Sequence, residues 1–153
     1  MSRKLSIVLV LALLVSTFGV FGVASAASAA GTGPDNPLPV PTTAQTLSVG
    51  QRVWYGFQYA GDKSQIIVDM KATPGGSANF AVWTPSDVKN WQNTGKQTPT
   101  GRGSENKLFG GDLEWTGNFT DAGPYYIVVD QAGGSPADIA LKVSGTGVSG
   151  LGK

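Results

Sequence analysis

No histidine and no cysteine occur among the 153 residues of the chain. That removes zinc, copper and haem sites built on their usual ligands. It also removes Ser-His-Asp and Cys-His nucleophile pairs. Carboxylates, hydroxyls, lysines and tyrosines are left for catalysis or for binding a hard cation. Asp112, Glu114, Asp121 and Asp130 crowd one stretch, with Glu105 just before it. Calcium takes roughly six to eight oxygens, several from clustered carboxylates. The chain has no Asp-x-Asp-x-Asp-Gly run, so a calcium site can come only from long-range assembly, with Asp112, Glu114 and Asp121 as weak candidates. Asp112 and Glu114 are two apart on an expected strand and point the same way. As a glycosidase pair they need a facing partner and a cleft. The plain reading of these acids is a solvated face, and the chain is not expected to be an enzyme.

Four tryptophans are many for a chain this small. Trp54 and Trp83 fall on the faces of their strands opposite the expected core residues. Trp91 falls at the end of an expected short helix. Exposed aromatic rings on a sandwich can stack on sugar rings or take an apolar partner. The competing reading is that Trp83 and Trp91 simply pack the helix down. Arg102 lies in Gly101-Arg102-Gly103-Ser104, where flexible flanks would let it reach a carboxylate. A salt bridge within the fold or a free surface charge is the simpler outcome. Trp91, Trp83, Trp54 and Arg102 are the candidate ligand residues.

The elements that must position these residues follow an export segment. Arg3 and Lys4 precede an almost wholly apolar run, Leu5 to Val23, and then small residues, Ala24 to Ala29. This is the layout of a signal peptide over 1–29, cut after Ala26 or Ala29. No membrane span is expected once it is removed. Of eleven basic residues, nine remain without Arg3 and Lys4, against ten acidic ones. No basic face or charge run stands out, so nucleic acid is not an expected partner. The lack of disulfides in an exported chain points to a bacterial source. Residues 30–44, rich in Pro and Gly, read as an extended leader, and residues 145–153 as a flexible, Gly-rich tail.

Between them, 45–144 reads as one domain. Val53, Tyr55, Phe57 and Tyr59 alternate with polar residues and Trp54. Ile66, Val68 and Met70 form a second inward set, Phe80 and Val82 a third, and Ile139, Leu141 and Val143 a last one. Thr84-Pro85-Ser86-Asp87 carries a helix start, with Thr84 as N-cap, Pro85 at the first position and Asp87 reaching back. A short helix over 85–92 follows, ending near Gly95. Lys96 to Gly110 reads as a polar loop. Gly111 to Gln131 reads as a central hairpin: one strand to Phe119, the turn residues Thr120 to Pro124, and a second strand apolar on both faces. Seven or eight short strands with turns at about ten-residue spacing make an antiparallel β-sandwich or jelly roll.

Trp54-Tyr55-x-Phe57, Gly61-Asp62, Ile66-x-Val68, Phe80-x-Val82 and Ala122-Gly123-Pro124-Tyr125-Tyr126-x-Val128-Val129 occur in that order. Together they make the chain resemble bacterial pre-peptidase C-terminal domains over about 45–144. The resemblance implies a jelly-roll module that accompanies secreted enzymes, some relatives binding calcium or extracellular polymers. No site residue is carried over from the family, because its calcium-binding acids have no match here at equal spacing. The expectation is a non-catalytic binding or accessory module, secreted or at the cell surface, for a polysaccharide or another surface polymer. The alternative is a structural or regulatory partner of a separate secreted protein, either an enzyme or a surface layer.

Overall fold

Period-two alternation puts two sheets face to face. The computed structural model describes residues 29–106 and 112–152. Sheet A runs β1 (Leu38–Pro39), β3 (Arg52–Tyr59), β9 (Gly123–Gln131), β5 (Ala78–Trp83) and β6 (Gly101–Arg102), with β11 (Val148–Ser149) also on β3. Sheet B runs β2 (Gln45–Leu47), β10 (Ala137–Ser144), β4 (Ile66–Thr73), β8 (Asp112–Gly117) and β7 (Ser104–Asn106). Tyr55, Phe57, Phe80, Tyr125 and Ile127 from sheet A meet Ile66, Val68, Met70, Ile139 and Leu141 from sheet B in the core. Burying each such side chain contributes about 1.5–3 kcal/mol relative to exposing it. The fold is a β-sandwich, and the expected inward sets are its core.

β9 is the central strand of sheet A, as its two apolar faces demand. It lies between β3 and β5, antiparallel to both. Tyr125, Ile127 and Val129 face the core, and Tyr126 and Val128 face outward beneath a helix.

The hairpin expected over 111–131 does not form. β8 belongs to sheet B and β9 to sheet A, so the intervening residues carry the chain from one sheet to the other. Phe119 stacks on Trp115 and packs against Tyr125, with centroids 6.0 and 5.6 Å apart. The Tyr125 hydroxyl donates to the carbonyl of Asp121 at 2.9 Å, and the Tyr59 hydroxyl to that of Phe119 at 3.3 Å. Turn residues mark a change of direction, but these core contacts decide which sheet receives the next strand.

The extended leader and the tail read as flexible each carry a strand. β1 pairs with β3 at Tyr55 and Gly56, the one parallel pairing described. β11 pairs with β3 at Tyr59 and Gln58. The Trp54 amide donates to the Gly31 carbonyl at 2.8 Å, and the Gly152 amide to that of Val40 at 3.0 Å. The reason is the edge of β3 away from β9. Left open, it would present a row of unpaired backbone groups. Within the stretch read as a loop, β6 and β7 extend the two sheets; residues 107–111 lie outside the described residues. The signal-peptide expectation also lies outside them, apart from Ala29.

Helix α1 (Pro85–Thr94) begins as its sequence requires. The Asp87 amide donates to Thr84 Oγ1 at 3.1 Å, and the Thr84 amide to Asp87 Oδ2 at 2.9 Å. It runs two residues past the expected end and stops at Gly95, whose φ of 72° is the left-handed conformation glycine adopts at little cost. Val88 and Trp91, three apart on one helix face, pack on the outer face of sheet A.

Candidate functional site

Strand register draws a grid on the outer face of sheet A. Trp54 lies opposite Val128, Val128 opposite Ala81, and Ala81 opposite Arg102. One row therefore runs from Trp54 to Arg102 over three strand spacings, about 14 Å. The row on one side places Arg52 opposite Asp130. The row on the other places Gly56 opposite Tyr126, and Tyr126 opposite Trp83.

Three tryptophans gather at one end of this grid. Trp91 from α1 stacks on Trp54, with centroids 5.5 Å apart and planes 11° from parallel. Trp83 lies 5.6 Å from Trp54 and 5.8 Å from Trp91, tilted to both. Tyr126 meets Trp54 edge-on at 6.0 Å. Trp54 and Trp83 are each only 4% exposed. They are therefore a second core beneath the helix, not open platforms for a sugar ring, because α1 lays Trp91 and Val88 over them. Trp91 is half-buried and is the ring of the three that faces outward. Trp83 Nε1 is buried and has no hydrogen-bond partner among the described residues.

Arg102 occupies the other end of the row. Its neighbours are glycines for packing, not for freedom. A Cβ on Gly101 would lie 1.9 Å from Trp115 Nε1, and one on Gly103 2.4 Å from Phe80 Cε1. The short strand is thus pressed onto core aromatics on its inner side, which fixes Arg102 on the outer side opposite Ala81. The Arg102 side chain is exposed and forms no hydrogen bond or ion pair with a described residue. Arg52 differs: its Nε and Nη2 donate to the two oxygens of Asp130 at 2.5 and 3.2 Å. That hydrogen bond raises the Arg52 pKa above the ordinary value.

Because Ala81 and Val128 are small, the row sinks between Trp54 and Arg102. The result is a crevice of about 70 Å³ floored by Trp54, Ala81, Trp83 and Val128. Arg52, Asp130, Arg102, Gln97 and Pro99 complete its lining. All four candidate ligand residues therefore belong to one neighbourhood, three as its tryptophans and one as its cation. Sequence does not single out Arg52, Gln97 and Pro99, and it groups Asp130 with Asp112, Glu114 and Asp121 rather than with this face. The parity shared by Arg52, Trp54 and Asp130, counted from the core set, is the signal that places the first and last of them on this face.

The outer face of sheet B carries the acids. Asp69 lies between Lys142 and Glu114 across the strands. A groove of about 660 Å³ includes Asp69, Lys71, Asp112, Glu114, Lys142 and Leu151 in its lining. Partial burial, then the charges of Glu114 and Asp112, raise the Asp69 pKa, and Lys142 opposes the rise. Asp112 and Glu114 share this face, as their spacing requires. Asp121 does not join them, since it accepts a hydrogen bond from Ser86 of α1 at 2.9 Å. Among the described residues no group of three His, Cys, Asp or Glu side chains is arranged to hold a metal.

No family model and no curated protein matches the chain. Among solved structures it is similar to a periplasmic inhibitor of g-type lysozyme, PliG, from Aeromonas hydrophila. The identity is 21%, with 67% of this chain and 83% of that one covered and a TM-score of 0.43. It is also similar to the pre-peptidase C-terminal domain of a collagenase from Bacillus anthracis. There the identity is 18%, with 70% of this chain and 100% of that one covered and a TM-score of 0.46. The second belongs to the family that the strand motifs resemble. No helix among the described residues is long and apolar enough to cross a membrane.

Proposed function

We propose that the protein is a non-catalytic, extracellular binding module that holds a polysaccharide of the cell surface or medium against the helix-bearing face of sheet A. One observation carries this reading: Trp91, half-buried, stands on a floor of buried aromatic rings beside a crevice edged by Arg102. A ring fixed from below has little side-chain entropy to lose when a sugar stacks on it. Trp54 and Trp83 support Trp91, and Arg102 supplies a charged contact at the far end of the row. Without histidine or cysteine, the chain is read as binding its polymer and leaving it intact.

Co-sedimentation with a panel of insoluble polysaccharides and cell-wall fractions tests the reading. The purified protein is expected to pellet with at least one of them, and Trp91→Ala to stay in the supernatant. Retention of Trp91→Ala on the same polymer would refute this face as the site. Failure of the protein to pellet with any of them would turn the reading toward a secreted protein partner.

A further inference from the structure

Strand β10 is paired along one side and only in part along the other. β4 runs beside it from Asp138 to Ser144. On the opposite side β2 pairs with Ala137 to Ile139 alone. Upstream of Gln45 the chain bends at Thr42 and Thr43 and leaves for sheet A, where β1 joins β3. Ala140 to Ser144 therefore have no strand on that side among the described residues. Every second residue of an antiparallel strand turns both its N–H and its C=O to the same side. This stretch thus offers a row of backbone donors and acceptors of the kind an added strand pairs with. The space for one is there: Ala140 to Val143 line the groove of about 660 Å³ together with Val40, Pro41 and Leu151.

Side chains along the edge select what such a strand carries. Leu141 and Val143 are buried in the core, while Ala140 and Lys142 are exposed on the outer face. Lys142 has Asp69 opposite it on β4, and no strand residue opposite it on the open side among the described residues. A residue set there by a new strand lies about 5 Å away, where an acid is favoured and a base opposed. Its two neighbours on that strand turn to the other face, the side of Leu141 and Val143, and the lining there is supplied by Val40 and the exposed Leu151. The same lysine weighs against a second copy, since symmetric pairing of two β10 edges centred on Lys142 sets like charges against each other.

We propose that the open edge of β10 takes an added strand from another extracellular protein, an extended segment with an acidic residue between two apolar ones. The acid faces Lys142, and backbone hydrogen bonds along Ala140 to Ser144 hold the segment. This is a second interface, on the sheet opposite the polysaccharide face, and it stands or falls independently of that reading.

The test titrates ¹⁵N-labelled protein with the capped peptide Ser-Val-Glu-Val-Ser at millimolar concentration, following the backbone amide signals. A second peptide has Lys in place of Glu. Two more keep Glu but carry backbone N-methyl groups, one at both valines and one at the glutamate. The Glu peptide is expected to shift the amides of Ala140 to Ser144. It should bind at least about threefold more tightly than the Lys peptide, the margin of a cross-strand charge pair. Lys142→Gln, a surface change, should erase that preference. Because hydrogen bonding alternates along a strand, one N-methylated form should lose binding and the other keep it. Loss in both forms or in neither would overturn strand addition. Equal binding of the Glu and Lys peptides would overturn the acidic requirement. No shift at Ala140 to Ser144 with any peptide would overturn the edge as the site. A free protein that sediments as a dimer, with those amides already protected from exchange, would give the edge to a second copy instead.

Discussion

The indole of Trp91 lies nearly parallel to that of Trp54, 5.5 Å away, so one ring is buried by the other. Trp54 is anchored in the middle of β3, whereas Trp91 is carried by the last turn of α1. The two should therefore respond differently to truncation.

Trp54→Ala removes a ring buried on all sides and is expected to cost about 3–5 kcal/mol. Trp91→Ala removes the half-buried partner and is expected to cost only about 1–2 kcal/mol, close to the worth of the ring pair. Urea unfolding of the two variants checks the difference. Equal losses would mean that Trp91 is as much core as Trp54 and would leave little ring for a ligand.

Gly101→Ala should be costly although its position is on a two-residue edge strand. The added methyl meets the Trp115 indole, and overpacking of this kind costs about 1–3 kcal/mol. Gly134→Ala has nothing within 4 Å and should stay within about 0.5 kcal/mol of the parent. Thermal melts of the pair decide whether the glycines beside Arg102 serve packing.

Thr84→Ala removes the side-chain acceptor for the Asp87 amide at the start of α1. A loss of about 1 kcal/mol is expected, with Thr84→Ser close to the parent. Circular dichroism during urea unfolding reads both. No loss in Thr84→Ala would mean that the helix is held by Val88 and Trp91 alone.

The pH dependence has a definite sign at Asp69. Its pKa is raised in the fold, so the folded state holds this proton more tightly than the unfolded chain. Stability at this site is greatest at low pH. It falls as pH rises from the ordinary carboxylate value of about 3.9 through the raised one. Asp69→Asn should flatten that slope and stabilise the protein at neutral pH. A second decline belongs to the alkaline range. Burial and the nearby Asp121 push the Tyr125 phenol up to about 12, so stability drops between about pH 10 and that value. Unfolding free energies measured across pH, with and without Asp69→Asn, show whether both slopes have these signs.

Much of this arrangement can be read along the chain, because alternation carries it. Counting from Val53 and Tyr55 puts Trp54 outside the sandwich, and counting from Phe80 and Val82 does the same for Trp83. The Thr84 cap and Asp87 locate the helix. What cannot be read locally is what lies above those faces. The sequence leaves two readings of Trp83, an open ring or packing beneath the helix, and none that puts the helix over Trp54; α1 folds back over both through Val88 and Trp91. The step from β8 to β9 has the turn residues of a hairpin, and the contacts of Phe119 and Tyr125 with Tyr59, some sixty residues away in sequence, accompany the crossing between sheets. The glycines around Arg102 suggest freedom until Trp115 and Phe80 are found beneath them. Two-residue strands such as β1 and β11 carry no period at all; they form on the open edge of β3, with Leu38 and Val148 packed against the core.

Hydrogen–deuterium exchange on the purified protein, with and without the polymer it sediments with, tests the placement of the binding face most directly. Added protection over residues 85–102 and across Ala81 and Val128, with the Asp69 and Lys142 face unchanged, is the expected result. Protection confined to the groove of sheet B, with 85–102 exchanging as before, would contradict the account and move the site to the acidic face.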